Sequence, residues 1–172
     1  LIKHSEDNMN KDKDTFVGYG KKFQESVARL MMEDRPFCDQ ITEVLELEFF
    51  DSAYLRAFVE IILNYREKYN QHPHFATLHT EIKKGNKNYD GAVNKQLRDF
   101  LVRIQSDDIN DKEYIKDQAI DFCKKQCLKK AILESANLVK KGNYDSITKI
   151  INEALSKGND QNFGHDWFMD VD

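Results

Sequence analysis

No stretch of this sequence alternates apolar and polar residues long enough to make a strand, and none holds the roughly 18 consecutive apolar residues of a membrane span. A sheet and a transmembrane protein are both excluded on those grounds. Basic charge is not in excess either. Across 172 residues the formal net charge is -4 and the pI is near 5.8, which argues against a domain whose main task is gripping phosphate backbones. Cysteine is scarce: Cys38, Cys123 and Cys127 are odd in number and form no CxxC pair. With nothing resembling a secretory signal at the N-terminus, three free thiols and a reduced, cytoplasmic setting are expected. A phosphate loop of the form GxxxxGK[ST] is missing as well. The only Gly-Lys pair, Gly20-Lys21, has Thr15 where the first glycine should stand, so nucleotide hydrolysis by that route is excluded.

What the sequence has is helical periodicity. At 33% charged residues and a mean hydropathy of -0.70, it fits a water-soluble chain able to bury roughly two thirds of its unfolded surface, enough for one real core or a core plus an appendage. Proline and glycine are both missing from about Asp111 to Lys141, which reads as one long helix. Its outer half carries Cys127, Leu128, Ala131, Ile132, Ser135, Leu138 and Val139 on one side. After Gly142-Asn143 a second arm carries Ile147, Ile150, Ile151, Ala154 and Leu155 at the i, i+3, i+4, i+7, i+8 spacing of an amphipathic helix. Gly142 suits a left-handed helix end, and Asn143 or Asp145 can cap the start of the second arm.

A first arm of that length spans roughly 45 Å, against a radius of gyration near 13 Å for a compact domain of about 100 residues. The tip is expected to project. The apolar positions cover an arc of roughly 140° on each arm, wider than one partner helix needs, so part of that surface is expected to meet another chain. The rival arrangement packs both arms fully inside one bundle.

The rest of the chain predicts a globule in front of this hairpin. Residues 1–18 read as a flexible tail, polar and almost without large apolar residues up to about Thr15. Helices are expected over Tyr19–Glu33 (Phe23, Val27, Leu30, Met31), over Phe37–Leu45 after Pro36, and over a strong core segment from Asp51 or Ser52 to Tyr69 (Tyr54, Phe58, Ile61, Ile62, Tyr65). Pro73 extends the next stretch. A short helix then starts at Thr77 and stops near Gly85, and a fifth runs from about Ala92 to Ser106 (Val93, Leu97, Phe100, Leu101, Ile104). The fold class is therefore all-α: a small helical globular subdomain (19–110), a long antiparallel helical hairpin (111–157) and a linker peptide (158–172). That last stretch joins loop residues to an aromatic patch, Phe163-Gly164-His165-Asp166-Trp167-Phe168. The chain starts at Leu1 and is expected to be cut from something longer.

Candidate chemistry is thin. His72, His74 and His79 lie close together but match no metal-ligand spacing, and the turn at Pro73 explains their neighbourhood. Cys123 and Cys127, at i and i+4, read as small core residues. Glu43, Glu46, Glu48 and Asp51 are spread over a helix end and a loop, a solvated acidic surface rather than a general acid/base pair. Lys124, Lys125, Lys129, Lys130, Lys140 and Lys141 make the outer half of the long arm basic, which leaves a DNA contact and an ordinary solvated face as the two readings. No catalytic, cofactor or metal residue is assigned.

Several strings, in this order, resemble the N-terminal domain of DnaB-type replicative DNA helicases, especially those of T-even-like phages. Phe23-Gln24-Glu25-Ser26-Val27 with Leu30-Met31-Met32-Glu33-Asp34 looks like the family's opening helix and its "LGGLMLD"-type ending. Phe49-Phe50-Asp51, the Tyr54–Tyr69 helix and His72-Pro73-His74-Phe75-Ala76-Thr77-Leu78 come next, the last in place of a "P-x-D/S-x-x-T-L" turn. Tyr114–Leu155 takes the place of the dimerising hairpin. Gly164-His165-Asp166-Trp167 is similar to a string found just before the phage helicases' motor.

The resemblance implies a collar that assembles as a dimer, or as a hexamer built as a trimer of dimers, and offers a surface to primase. Ala131, Leu138, Ile147, Ile150, Ile151 and Leu155 would serve hairpin pairing within or between chains, and His165, Trp167 and Phe168 would dock the linker onto an adjacent motor. ATP- and Mg-dependent DNA unwinding, and the main DNA contact, would belong to a RecA-like domain outside these residues, in the host cytoplasm for a phage protein. A stand-alone helical adaptor, such as a helicase loader or regulator, is the rival from another class.

Overall fold

The computed structural model describes residues 14–159, which form seven α-helices and two short 3-10 turns, with no strand among the described residues. The helices are α1 (Lys21–Glu33), α2 (Arg35–Thr42), α3 (Ala53–Tyr69), α4 (Phe75–Lys84), α5 (Gly91–Ser106), α6 (Lys112–Lys140) and α7 (Tyr144–Ser156). The all-α class, a small globule followed by a helical hairpin, is what the periodicity predicts.

Local chemistry sets most boundaries. Asp34 accepts a hydrogen bond from the Phe37 N–H at 2.9 Å, with Pro36 in the first turn of α2, and Asp90 accepts from the Val93 N–H at 2.8 Å to start α5. Both satisfy amide groups that a helix start leaves without partners. Four limits differ from expectation, the first being the start of α2 at Arg35 rather than Phe37, because Asp34 is its N-cap. Helix α1 begins at Lys21 rather than Tyr19, because Gly20 takes a φ of +85° between it and the 3-10 turn Phe16–Tyr19. Helix α2 stops at Thr42 instead of Leu45, and the Val44 and Leu45 N–H groups both turn back to the Ile41 carbonyl. Helix α4 starts at Phe75, two residues early, since His74 is already extended and at the N-cap.

The core is layered. Helix α3 packs against α1 on one side and α5 on the other, α4 lies on α5, and α6 lies on α1 and α2. Leu55, Phe58 and Ile62 of α3 are fully buried, and Phe100 of α5 meets Phe58 edge to face at 5.1 Å, burial that drives folding by about 1.5–3 kcal/mol per large side chain.

Two domain limits read from the sequence are corrected here. Position 18 is not the inner end of a tail, because Phe16 is completely buried and sits among Phe23, Phe49, Phe50 and Phe122 with ring centroids 4.8–5.9 Å apart. Phe16 anchors it, with Tyr19 stacked on Phe23 at 4.5 Å beside it. Nor does the hairpin separate from the globule at 110/111: Ala119, Phe122 and Cys123 belong to the buried core, with Ile115, Ile120 and Cys127 packed against it. The inner half of α6 is a globule helix.

Candidate functional site

The 29 residues of α6 and the 13 of α7 correspond to about 43 Å and about 20 Å of helix, so α7 covers only the outer half of its partner. The turn between them is closed by two bonds: Asn143 N–H to the Leu138 carbonyl and Gly142 N–H to the Val139 carbonyl, each 3.1 Å. With Gly142 at φ +71°, this is a Schellman end, the pattern glycine permits at no steric cost. Asn143 is the N-cap residue of α7, and its side chain accepts from the Ser146 hydroxyl at 3.0 Å rather than from a backbone amide.

Small residues form the seam between the arms. Ala131 and Ser135 of α6 and Ala154 of α7 are buried, and the Ser135 hydroxyl is satisfied by the Ala131 carbonyl at 2.7 Å. At about 100° per residue, Leu128, Ile132 and Val139 stand roughly 60–100° to one side of Ala131, and Tyr144, Ile151 and Leu155 by the same angle to one side of Ala154. In an antiparallel pair those displacements fall on the same side of the seam. Ile132, Val139, Tyr144 and Leu155 there are 54%, 52%, 67% and 56% exposed. A continuous apolar strip on one chain therefore faces solvent, where isolated apolar side chains are the norm.

The opposite flank faces the globule. Cys127, Lys130 and Glu134 of α6, Ile150 and Glu153 of α7, and Lys157 just after it line a cleft of roughly 500 Å³ whose other wall is Glu43–Glu46 of the globule. The hairpin end is clasped to that wall: the Gly158 N–H donates to Glu43 Oε2 at 2.7 Å and its carbonyl accepts from Gln40 Nε2 at 2.8 Å.

The six residues expected to pair hairpins are therefore sorted by the structure. Ala131 is consumed in the seam, Leu138 and Ile147 are half-buried near the tip, and Ile150 faces the cleft. Ile151 and Leu155 lie on the open strip. Ile132, Val139 and Tyr144 join them, residues that apolar spacing marks but cannot rank, because which flank is covered depends on where the globule stands. His165, Trp167 and Phe168 lie outside the described residues.

The other candidates find quieter uses. Glu43 and Glu46 are not merely solvated: the first holds Gly158 and the second pairs with Lys130. Of the basic run, Lys125 pairs with Asp121 at 2.6 Å, Lys129 with Asp14 at 2.5 Å, and Lys124 donates to Asn159 Oδ1 at 2.6 Å. Four of the six lysines thus have partners within the chain. His72 is a strut: Arg66 donates to its Nδ1 at 2.8 Å and its Nε2 donates to the Met32 carbonyl at 2.7 Å. No sequence signal marks that role. Burial pushes the Cys38 and Cys123 thiols up, away from the reactive thiolate. Among the described residues no three His, Cys, Asp or Glu side chains converge as a metal site, and no helix is long and apolar enough to cross a membrane.

No known family model matches the chain, and neither does any curated protein or solved structure compared with it.

Proposed function

We propose that this chain is an assembly module, the N-terminal collar of a DnaB-type replicative DNA helicase. Its task is to hold protomers together through the hairpin and to present a surface to primase, while a RecA-like motor carried elsewhere hydrolyses ATP with Mg and unwinds DNA. The observation that carries this reading is the open apolar strip Ile132, Val139, Tyr144 and Leu155, exposed along a hairpin whose other flank faces the globule across a cleft.

Two copies meeting by this strip would do so through the same residues on each side, an isologous contact about a two-fold axis. Three such dimers closing into a ring give the hexamer that the family resemblance implies. Support for a mechanical role comes also from the fate of the polar candidates: Glu43, Glu46, His72, Lys129 and Lys130 serve as struts and clasps between segments of the chain.

The decisive test is the reading frame beyond the Asp172 codon. A collar runs on into a GxxxxGK[ST] phosphate loop. A stop codon at that point sinks the helicase reading in favour of a stand-alone adaptor.

A further inference from the structure

A second concave surface lies far from the hairpin, between the C-terminal half of α3, the end of α4 and the start of α5. This cleft has a volume of roughly 680 Å³, within the range of small-ligand and peptide sites. Ile82 and Leu97, both buried, form its floor. Tyr65 and Tyr69 stand over it as a tilted pair with centroids 4.6 Å apart, and Lys68 Nζ lies 5.0 Å from the Tyr69 ring.

Lys84 and Lys87 rim the cleft, Lys84 held by Glu81 at 2.9 Å. The loop that carries Lys87 is stiff. Asn94 Nδ2 donates to the carbonyls of Asn86, Tyr89 and Asp90 at 2.9–3.1 Å, and its Oδ1 accepts from the Asn86 N–H at 3.1 Å. The cleft is thus preformed, aromatic and, with three lysines against one glutamate among its lining residues, locally positive on a chain of net charge -4. Such a site favours a ligand that is both aromatic and acidic.

One segment of this chain has that composition. From Asp160 to Asp172 there are four aspartates and no Lys or Arg, with Phe163, Trp167 and Phe168 between them. We propose that the α3–α4–α5 cleft receives this segment from a second copy of the chain, Trp167 or Phe168 stacking against Tyr65 and Tyr69 while Asp166 and Asp170 meet Lys68 and Lys87.

Reach decides for the second copy. Asn159 is held beside α2 and α6 by Lys124 and the Gly158 clasp. The cleft lies beyond α1 and α3 in the order of packing, about three helix spacings of 8–10 Å away. The eight or nine residues from Asn159 to Trp167 or Phe168 extend to at most about 28–32 Å, about the straight-line separation of roughly 24–30 Å through the globule and short of a path around it. A contact of one chain's segment with a different surface of the next is heterologous and propagates around a ring. The proposal does not depend on the helicase reading, it takes the place of docking Trp167 and Phe168 onto an adjacent motor, and it would join dimers that the hairpin strip has formed.

Trp167 is the only tryptophan, so its fluorescence in the full chain is the readout. One chain carries Tyr69→Ala and Lys87→Glu, both at exposed positions, with its own segment intact. A second keeps the cleft but carries Trp167→Ala and Phe168→Ala. Mixing the two is expected to move the emission of the first chain to shorter wavelength and to shield it from acrylamide. In the wild-type chain that shift is already present, it is lost in Lys87→Glu alone, and it returns when Asp170→Lys is added. A mixture whose emission equals that of the first chain alone overturns the proposal, as does a wild-type emission unmoved by Lys87→Glu. Light-scattering mass of Lys87→Glu, expected to stay at least dimeric, separates a failed cleft contact from a failed hairpin contact.

Discussion

The Gly158 N–H donates to Glu43 Oε2 at 2.7 Å across 115 residues of chain, and this bond fastens the base of the hairpin to the globule. Gly158 is buried with φ +69°, and a Cβ there would lie 3.1 Å from Lys124 Cε and 3.3 Å from the methyl groups of Val44. Gly158→Ala is expected to destabilise the chain by roughly 1–2 kcal/mol from backbone strain alone, and to speed amide exchange in the last turn of α7 before that of α3. Melting and exchange unchanged from wild type would show that the clasp does not hold the hairpin.

Phe16 fills the centre of an aromatic cluster drawn from α1, the Leu47–Phe49 turn and α6. Phe16→Ala is expected to cost about 3–5 kcal/mol, the range for a buried phenylalanine, read from the urea midpoint. A cost within about 0.5 kcal/mol, as for a surface change, would place residues 14–19 outside the fold.

Asp34 joins helix capping to an ion pair with Lys116 at 2.5 Å. Burial pushes its carboxyl up, but the Lys116 ammonium and the Phe37 amide outweigh this and hold it below the ordinary value of 3.8. A depressed carboxylate stabilises the fold above its unfolded value and loses that contribution as pH falls through the lower folded one. The Lys116 ammonium is held above 10.5 by Asp34 and Glu113, against a smaller effect of burial, so its share is full through neutral pH and is lost only as pH rises through that higher value. Asp34→Asn, which still caps α2, is therefore expected to trail the wild type by a constant margin from pH 7 to about 5, the gap closing below 3.8. Urea unfolding across that range checks it, and a gap independent of pH would remove the ion pair from the account.

Ala131 and Ala154 set how closely the arms approach. Ala131→Leu is expected to cost about 1–3 kcal/mol by overpacking the seam, while Leu155→Lys, on the open strip, stays within about 0.5 kcal/mol when the chains are compared as monomers, at concentrations below that at which the strip joins two copies. Thermal melts of the two variants compare them directly, and equal costs would contradict the division into seam and strip.

The helices were legible because each repeats its apolar residues at helical spacing, and Pro36, Gly85 and Gly142 mark ends by local chemistry. Phe16 was not, since Phe16, Val17 and Tyr19 lie in a four-residue turn too short to show a period; only the ring of Phe23, Phe49, Phe50 and Phe122 explains it. The limit at 111 failed for a related reason. Helix α6 has one uninterrupted pattern but two environments, globule at Phe122 and hairpin at Ala131, and no residue between them breaks it. Apolar spacing also found both arms without ranking Ile150 against Ile132, because the globule wall at Glu43–Glu46 covers one flank and leaves the other open.

The central claim is that the open strip joins two copies of the chain. Its most direct test is the light-scattering mass of wild-type chain beside an Ile132→Lys/Leu155→Lys variant, with melting curves to show that both are folded. The wild type is expected to be at least dimeric and the variant a folded monomer. A wild type that stays monomeric at high concentration, or a folded variant that keeps the wild-type mass, would contradict the claim.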